Sequence, residues 1–395
     1  MNILGLIGRN GPIFDKDIRA NSEKLDEQIG SASFLVVGGA GSIGQAVTHE
    51  IFRRDPKVLH VVDISENNLV ELVRTIRSTS GYIRGDFRTF SIDCAGIEFE
   101  RLVSTEGPYD YILNLSALKH VRSEKDPYTI MRMIQVNICN SVKILNIARD
   151  SGAKNYFCVS TDKATNPVNM MGASKRIMEM FLMRESFAQS VSMARFANVA
   201  FSDGSLLNGF ERRLAKYQPI SAPNDVFRYF LTTQEAGELC LLSTLLGENK
   251  DVFFPKSEGK LEPVRFSTIA SNYLRNLGYE PYKCSNEDEA RDLADELIRK
   301  KKWPCYFFET DTTGEKEIEE FFTNNEIVDM NRFQNIGVIQ NPSTPSYNKL
   351  DPFFSQLECI KKKKEWSKND FLDLFFDVLP EFTHAETGKF LDQKM

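Results

Sequence analysis

The sequence has few of the side chains that most often bind metals or move protons in enzymes. Its 395 residues include only 4 histidines, and these form no HxH or HExxH pattern, so we expect no zinc site. The 7 cysteines form no CxxC pair, and an odd, scattered set is typical of reduced thiols in a cytoplasmic protein. Proton chemistry is therefore left to Asp, Glu, Lys, Ser, Thr or Tyr.

Long apolar runs and an excess of basic residues are also absent. No stretch of about 18 apolar residues occurs, so the sequence predicts no membrane span. The N-terminus lacks a basic region and reaches Asp15 early, which is unlike a signal peptide. A formal net charge of −6 argues against a nucleic-acid-binding protein, and the lysine run at 361–364 is more typical of a solvated helix start.

What is present is a regular alternation of apolar runs and helical segments. Apolar runs typical of strands lie at 33–38, 58–63, 87–93, 109–117, 155–161 and 190–196, with helical segments between them. This spacing is typical of parallel βαβ units whose sheet is covered on both faces. The sequence therefore predicts an α/β fold with a doubly wound, mostly parallel, Rossmann-type sheet.

The alternation becomes irregular after about residue 200, which divides the chain into four predicted regions. We expect an N-terminal helical extension at 1–30 and a dinucleotide-binding Rossmann domain at 31–200. A smaller α/β substrate region follows at 201–330, and a C-terminal extension at 331–395. The length suits one such α/β unit with additions.

The first apolar run ends in a glycine-rich turn that opens a helix, with the residues Gly38, Gly41, Ser42, Ile43 and Gly44. Such a turn lets the backbone approach a pyrophosphate and presents unpaired N–H groups to it. Asp63 ends the second run, where a carboxylate can accept hydrogen bonds from an adenosine ribose, and this favours NAD over NADP. Asp93, after the third run, is either close to the adenine or the N-cap of the next helix.

A second informative stretch, VSTDKATNPVNMMGASKR at 159–176, begins at a strand end and runs into a helix. In doubly wound sheets the carboxyl ends of the strands face the cofactor crevice. The stretch places Thr161, Asp162 and Lys163 side by side, with Lys175 further along. These groups are candidates for acid–base chemistry; the alternative for the Asp-Lys pair is a surface ion pair or a helix cap.

Together these features resemble the extended short-chain dehydrogenase/reductase family, and more narrowly the nucleotide-sugar 4,6-dehydratases that act on UDP-N-acetylglucosamine. The match covers about residues 30–325 and is carried by the glycine loop, Asp63, Ser-Ala-Leu-Lys-His-Val at 116–121, Ser-Thr-Asp-Lys at 160–163, Met-Gly-Ala-Ser-Lys at 171–175, Arg-Phe-Ala-Asn-Val at 195–199, Arg-Tyr-Phe at 228–230 and Gly-Glu-Lys at 314–316. The chain departs from the wider family at Met171, which stands where a tyrosine normally takes the sugar hydroxyl proton. Some members of the dehydratase group that retain the C5 configuration also carry methionine there.

The resemblance implies an NAD-dependent lyase that forms a UDP-4-keto-6-deoxy-N-acetylhexosamine, with C5 configuration retained, for bacterial surface-polysaccharide biosynthesis. It implies that Asp162 is the acid at C6, Lys163 the base at C5 and Lys175 a ligand of the nicotinamide ribose. Thr161 is the candidate for hydrogen bonding O4. Asp162 then needs a raised pKa through burial, and Lys163 a lowered pKa through desolvation or nearby Lys175.

Further ligand contacts follow from the same resemblance. Additional cofactor contacts are expected from Ser116, Ala117, Lys119 and Asn137. UDP-sugar contacts are expected from Lys119, His120, Asn198, Ser205, Arg213, Arg228, Arg265 and Glu315. Arginine is favoured because its fork matches diphosphate oxygens. The alternatives for His120 and Asn137 are a packed histidine and a buried asparagine that holds backbone.

Two other functions stay open at this stage. A UDP-sugar C4 epimerase or reductase would share the fold but depends on the missing tyrosine. A non-catalytic dinucleotide-binding protein would explain Met171 as lost chemistry, although the retained Asp162, Lys163 and Lys175 argue against it. We also expect a homo-oligomer, at least a dimer, associating through the apolar helix that carries Ile177, Met178, Met180, Phe181 and Leu182.

Overall fold

The structure is a computed structural model that describes residues 2–257, 261–340 and 347–389. Its strands are β1 (Ser33–Val37), β2 (Val58–Asp63), β3 (Asp86–Ser91), β4 (Tyr111–Asn114), β5 (Asn155–Thr161), β6 (Val191–Phe196), β7 (Asn198–Val199), β8 (Ile220–Pro223), β9 (Phe227–Arg228), β10 (Phe230–Leu231), β11 (Val252–Pro255), β12 (Val264–Arg265), β13 (Glu280–Cys284), β14 (Lys302–Phe308), β15 (Ile327–Asp329) and β16 (Ile336–Gln340). The six strands predicted before residue 200 are all present, within two or three residues of their expected ends.

The helices are α1 (Ile3–Leu6), α2 (Asp15–Ala20), α3 (Ser22–Gly30), α4 (Ser42–Phe52), α5 (Glu66–Thr79), α6 (Ile97–Glu106), α7 (Pro127–Ile134), α8 (Asn140–Asp150), α9 (Met170–Glu185), α10 (Leu206–Ala215), α11 (Thr233–Leu246), α12 (Phe266–Asn276), α13 (Glu287–Asp292), α14 (Ala294–Arg299), α15 (Phe353–Lys361) and α16 (Lys368–Val378). A π-helical turn at Gln135–Cys139 joins α7 to α8, and a single 3-10 turn at Asp162–Ala164 follows β5. Among the described helices, none is both long and apolar enough to cross a membrane.

A nine-stranded sheet forms the centre of the fold, in the order β15-β16-β11-β6-β5-β4-β1-β2-β3. The strands from β11 to β3 are parallel, and β16 and β15 add antiparallel at one edge. Every residue of β1 is buried because helices cover both faces. The strand order reverses between β1 and β4, which opens a crevice at their carboxyl ends. The predicted doubly wound fold is confirmed.

The main sheet takes strands from three of the four predicted regions. After β6 the chain leaves the sheet, returns as β11, leaves again and returns as β15 and β16. The predicted boundaries at residues 200 and 330 therefore do not coincide with the limits of the sheet. The sequence pattern changes near residue 200 because the chain departs from the sheet there, not because the sheet is complete.

A smaller parallel sheet, β13-β14-β8, is built from the region predicted to bind substrate. It has its own core, whose largest members include Phe210, Tyr273 and Trp303. Helix α12 packs against β8 and β13. The main sheet and this smaller α/β unit are thus two centres of packing within the chain.

The C-terminal helices cover the face of α9 that the sequence offered as an association surface. Helix α16 packs on α7 and α9, and Phe181 of α9 lies 5.5 Å and 4.9 Å, ring to ring, from Phe353 and Phe354 of α15. All five apolar residues named for association are at most 1% exposed. The prediction that these five side chains are free to pair with a second copy is wrong, because they are buried within the chain itself. The homo-oligomer stays a prediction.

Candidate active site

The turn from β1 into α4 is built so that only glycine fits at its two ends. Gly38 has a φ of +75°, and a Cβ there would lie 2.6 Å from the backbone N of Ser116. A Cβ on Gly44 would lie 2.2 Å from the carbonyl oxygen of Gly38. Helix α4 begins at Ser42 with Gly41 as its N-cap and no side-chain cap. The loop is therefore a cradle that side chains would fill, with helix N–H groups free for an anion, as a dinucleotide pyrophosphate requires.

The predicted ribose ligand Asp63 lies at the end of β2 beside this loop. Its Oδ2 accepts a hydrogen bond from the N–H of Ala40 at 3.0 Å, and its Oδ1 accepts one from the N–H of Ser65 at 2.9 Å. Each oxygen keeps a second lone pair for a ribose hydroxyl. Asp93 is exposed and its Oδ1 accepts from the N–H of Ala95 at 2.9 Å. The N-cap of α6 is Gly96, so the alternative that Asp93 caps that helix is wrong.

The loop after β4 approaches the glycine loop from the other side of the crevice. The hydroxyl of Ser116 donates to Asn114 Oδ1 at 2.6 Å, and Ala117 follows it. Asn137, in the π-helical turn, accepts from the N–H of Leu118 at 2.9 Å and donates to its carbonyl at 3.0 Å. It also donates to Ser174 Oγ at 2.9 Å and is fully buried. Both Asn137 donors are used within the protein, so its side chain holds the loop after β4; a direct contact with the cofactor stays a prediction.

Lys119 and His120 extend the same loop towards residues 202–205. The Nζ of Lys119 lies 3.4 Å from the hydroxyl of Ser202, and burial lowers the pKa of Lys119, with Asp203 opposing. Burial, together with the charges of Lys119 and Arg122, also lowers the pKa of His120. The N–H of Asp203 donates to Ser42 Oγ at 2.9 Å. These contacts bring three loops together over the crevice between β1 and β4.

Thr161, Asp162 and Lys163 form one hydrogen-bonded group at the end of β5. The Thr161 hydroxyl donates to Asp162 Oδ1 at 2.8 Å. The same oxygen accepts from the backbone N–H of Lys163 at 2.8 Å and from its Nζ at 3.2 Å. The other carboxyl oxygen, Oδ2, is buried and has no hydrogen-bond partner in the described part of the chain. Asp162 thus has one oxygen held by the protein and one available to a ligand.

The two adjacent ionisable groups are both shifted from their ordinary behaviour. Burial raises the pKa of Asp162, although Lys163 nearby opposes the shift, and this agrees with the expectation for an acid. Burial alone would lower the pKa of Lys163, but the carboxylates of Asp162 and Glu319 outweigh it and raise that pKa. The predicted lowering for Lys163 is therefore wrong, because the sequence did not reveal the second carboxylate.

Lys175 and Met171 lie on the first turns of α9. The Nζ of Lys175 donates to the carbonyl of Val159 in β5 at 2.8 Å, and burial lowers its pKa. Met171 is 3% exposed and packs in the core, where its thioether can neither give nor take a proton.

Glu319 is the site residue that sequence reasoning missed. Its Oε1 lies 3.6 Å from the Nζ of Lys163, and the residue is buried although its neighbours Ile318 and Glu320 are exposed. Only its position three residues after Lys316, in the acidic run that follows Gly-Glu-Lys, could have suggested it. No periodic pattern marks that run, because it has no regular secondary structure.

Arg228 and Glu315, two predicted UDP-sugar ligands, contact each other. Arg228 is 2% exposed, and its guanidinium forms an ion pair with Glu315 and donates to the carbonyls of Phe227 at 2.8 Å and Lys316 at 2.9 Å. Burial raises the pKa of Glu315, with Arg228 opposing. In this structure the fork of Arg228 is occupied by protein oxygens, so a diphosphate would have to replace one of these contacts.

The other residues predicted to bind the UDP-sugar differ in whether their polar groups already have partners within the protein. Asn198 has a buried Nδ2 without a hydrogen-bond partner in the described residues, which leaves a donor for a ligand. Ser205 is the N-cap of α10, and its hydroxyl accepts from the N–H of Asn208 at 3.2 Å. Burial lowers the pKa of Arg213 on the same helix. Arg265 is exposed and stacks over the ring of Phe227, 4.5 Å from its centroid, beside the Arg228–Glu315 pair.

Comparisons with known proteins agree with this architecture. A family model described as a polysaccharide biosynthesis protein matches residues 34–341. The chain is 27% identical to an uncharacterized membrane protein of Methanocaldococcus jannaschii, over 84% of this chain and 94% of that protein. It is 25% identical to a probable polysaccharide biosynthesis protein of Bacillus subtilis, over 73% of this chain and 48% of that protein, so it spans about half of that relative. It is also 25% identical to the inverting UDP-N-acetylglucosamine 4,6-dehydratase of Campylobacter jejuni, over 63% and 72% respectively.

Two solved structures share the fold. Pen from Bacillus thuringiensis superposes with a TM-score of 0.65 at 19% identity, over 89% of this chain and 98% of that one. The dTDP-glucose 4,6-dehydratase of Streptomyces venezuelae, solved with NAD bound, superposes with a TM-score of 0.56 at 16% identity, over 73% and 88%. At these identities the likeness establishes the arrangement of strands and helices.

Proposed function

Since the chain belongs to the polysaccharide biosynthesis protein family, a branch of the extended short-chain dehydrogenases/reductases, we propose that it is a UDP-N-acetylglucosamine 4,6-dehydratase. The product would be a UDP-4-keto-6-deoxy-N-acetylhexosamine. The observation that carries the proposal is Asp162, which lies between Thr161 and Lys163. Its buried carboxyl has a raised pKa and one oxygen with no partner among the described residues. A 4,6-elimination needs an acid and a base side by side in this way.

The cofactor proposed for this reaction is NAD, and the residues at the crevice suit it. The glycine cradle and the start of α4 would hold the pyrophosphate, and Asp63 the adenosine ribose. A 2′-phosphate would be repelled by Asp63, which favours NAD over NADP. NAD held there would supply the hydride chemistry of the reaction, the transfer from C4 of the sugar and the return to C6. Ser42 and Ile43, at the start of α4, and the loop held by Asn137 would border the same space.

The O4 proton of the sugar has a route that needs no tyrosine. The Thr161 hydroxyl already donates to Asp162 Oδ1. When Thr161 accepts the proton of O4, it gives its own hydroxyl proton to Asp162. Asp162 begins as a carboxylate and becomes the carboxylic acid that burial favours. This explains how an enzyme with methionine at position 171 oxidises C4.

The same proton then completes the elimination. Lys163 removes the proton from C5, which the 4-ketone has made acidic, and Asp162 gives its proton to the C6 hydroxyl, which leaves as water. The proton lost from O4 thus leaves in that water, and Asp162 returns to its carboxylate. The name of the Campylobacter relative says that it inverts the configuration. For this chain we propose retention at C5, and Met171 is the one residue that supports this difference.

Binding of the UDP moiety is assigned to the polar groups around the smaller α/β unit. Asn198 offers its Nδ2, which has no hydrogen-bond partner among the residues that the structure describes, and Arg213 and Arg265 offer guanidinium groups that no described carboxylate contacts. Arg228 and Glu315 would exchange their mutual contact for the diphosphate and the ribose hydroxyls. Lys119 and His120 would face the sugar from the loop after β4.

The test is incubation of the purified protein with UDP-N-acetylglucosamine in D₂O, followed by NMR. The expected product is a 4-keto-6-deoxy sugar nucleotide with deuterium at C5, and the stereochemistry at C5 reports retention or inversion. Formation of a C4 epimer with no loss of oxygen would support an epimerase instead. Unchanged substrate in the presence of bound NAD would contradict both enzymes.

A further inference from the structure

A buried group of alternating charges surrounds the proposed base Lys163. Its ammonium lies between Asp162, whose Oδ1 is 3.2 Å from Nζ, and Glu319, whose Oε1 is 3.6 Å from Nζ. The Oε2 of Glu319 is buried without a hydrogen-bond partner in the described chain, and it lies 3.8 Å from the Nζ of Lys316. Lys316 in turn donates to the carbonyl of Thr165 at 2.8 Å. Glu319 is thus a carboxylate with unused acceptor capacity next to Lys163.

The arrangement poses a chemical problem for a base. Lys163 must be an amine to remove a proton from C5, yet two carboxylates hold it as an ammonium. Asp162 is the poorer acceptor, because the oxygen that faces Nζ already accepts from the Thr161 hydroxyl and from the N–H of Lys163. During dehydration Asp162 has by then also accepted the O4 proton. We propose that Glu319 is the positioning residue that accepts a proton from Lys163 and so releases the amine that deprotonates C5. This inference rests on the proposed function and deepens it.

The proton bookkeeping of this step closes without any other reactant. One N–H bond of Lys163 breaks and one O–H bond forms on Glu319, so an ammonium and a carboxylate become an amine and a carboxylic acid. The amine lone pair then forms a new N–H bond as the C5–H bond breaks, and the bonding electrons move towards the 4-ketone. When C5 is protonated again from Lys163, the proton on Glu319 returns to the amine.

The chain fixes Glu319 from both sides, although it lies outside any helix or strand. On one side, Asn169 donates to the carbonyl of Gly314 at 2.8 Å and so ties this segment to the start of α9. On the other, Arg195 donates to the carbonyl of Phe321 at 2.9 Å and to both oxygens of Glu326. These contacts hold the carboxylate of Glu319 beside Lys163 without using its oxygens.

The test isolates the C5 step by starting from the ketone. UDP-4-keto-6-deoxy-N-acetylglucosamine, prepared independently of this protein, is incubated with enzyme in D₂O, and deuterium entering C5 is followed by NMR against an enzyme-free blank. Glu319→Gln keeps the shape of the side chain but accepts no proton, so exchange should fall by about 10²-fold or more. Affinity for UDP, measured by calorimetry, should be unchanged. Glu320→Gln, which removes the same charge from an exposed neighbour, should exchange like the wild type.

A different role for Glu319 would change the exchange rate in the opposite direction. If Glu319 served only to hold Lys163 as an ammonium, its loss would release the amine, and exchange by Glu319→Gln would be equal to or faster than the wild type. Either result overturns the proposal, as would absence of exchange by the wild type. If the glutamine variant does not fold, the Glu319→Asp variant is measured instead. Aspartate keeps the negative charge but places it one methylene further from Lys163. Slower exchange by this variant supports the proposal, and exchange at the wild-type rate refutes it. Failure of the wild type to dehydrate UDP-N-acetylglucosamine would instead refute the proposed function.

Discussion

Replacing Thr161 with valine removes one atom from the proposed route of the O4 proton and little else. The hydroxyl donates to Asp162 Oδ1 at 2.8 Å and accepts from the N–H of Lys163 at 3.4 Å. Valine keeps the branched shape at the end of β5, and Asp162 Oδ1 keeps both of its contacts from Lys163. Valine loses both hydrogen bonds of the hydroxyl, but the N–H of Lys163 keeps its shorter one to Asp162 Oδ1 at 2.8 Å. The cost is therefore mainly that of the Thr161–Asp162 hydrogen bond, a fall in the free energy of unfolding of about 0.5–1.5 kcal/mol.

The effect on turnover should be far larger. Loss of a positioned proton acceptor lowers a rate by about 10²–10⁴-fold, which corresponds to about 2.7–5.4 kcal/mol in the barrier. The measurement is kcat for dehydration of UDP-N-acetylglucosamine, with Thr161→Ser as the matched control that keeps the hydroxyl. Deuterium exchange at C5 of the ketone should be nearly unchanged in Thr161→Val, because O4 no longer carries a proton. A valine variant that dehydrates within about threefold of the wild type would refute the Thr161–Asp162 route.

Three further predictions concern the cofactor loop, the buried ion network and the pH profile. Gly44→Ala places a Cβ 2.2 Å from the carbonyl oxygen of Gly38, so the loop has to move away from the shape that suits the cofactor. If restoring that shape costs about 1–3 kcal/mol on binding, the Kd for NAD measured by calorimetry rises by about 5- to 150-fold. Gly30→Ala, with open space around it, should bind normally, and unaltered binding by Gly44→Ala would contradict the cradle. Arg195→Met removes the buried guanidinium that contacts both Glu179 and Glu326 and leaves Arg176 to pair with them. Thermal unfolding should therefore show a loss of about 3–5 kcal/mol, against about 0–1 kcal/mol for the exposed Arg275→Met. Because Asp162 must begin as a carboxylate and burial raises its pKa, kcat/KM should fall as pH drops through a value above the ordinary aspartate range near about 3.9; an acid limb in that ordinary range would contradict the assignment.

The fold could be predicted largely because its signals are local. Each strand up to β6 is a short apolar run bounded by turn residues, and Gly38 and Gly44 mark the one turn that a dinucleotide-binding loop needs. The return of the chain to the sheet as β11, β15 and β16 could not be seen in the same way. Those strands are separated by helices and loops of the smaller unit, and nothing in their own sequence says which sheet they join.

The candidate site divides along a similar line. Thr161, Asp162 and Lys163 are neighbours in sequence, so their grouping was visible at once. The contact of Lys163 with Glu319 spans more than 150 residues, and it reverses the expected shift of the lysine pKa. The pairing of Arg228 with Glu315 and the role of Asn137 in holding a loop are also long-range contacts. Residue types near the site were therefore predictable, whereas their protonation and partners depended on the tertiary structure.

Helices α15 and α16 bury part of α9 within the same chain, so this burial does not depend on the concentration of the protein. An apolar helix buried by a second copy loses its protection when the protein is diluted, because association depends on concentration. Here the covering groups, such as Phe353 and Phe354 against Phe181, belong to the same chain and are present at a fixed effective concentration. The helix that carries Met171 and Lys175 therefore keeps its packing at any protein concentration.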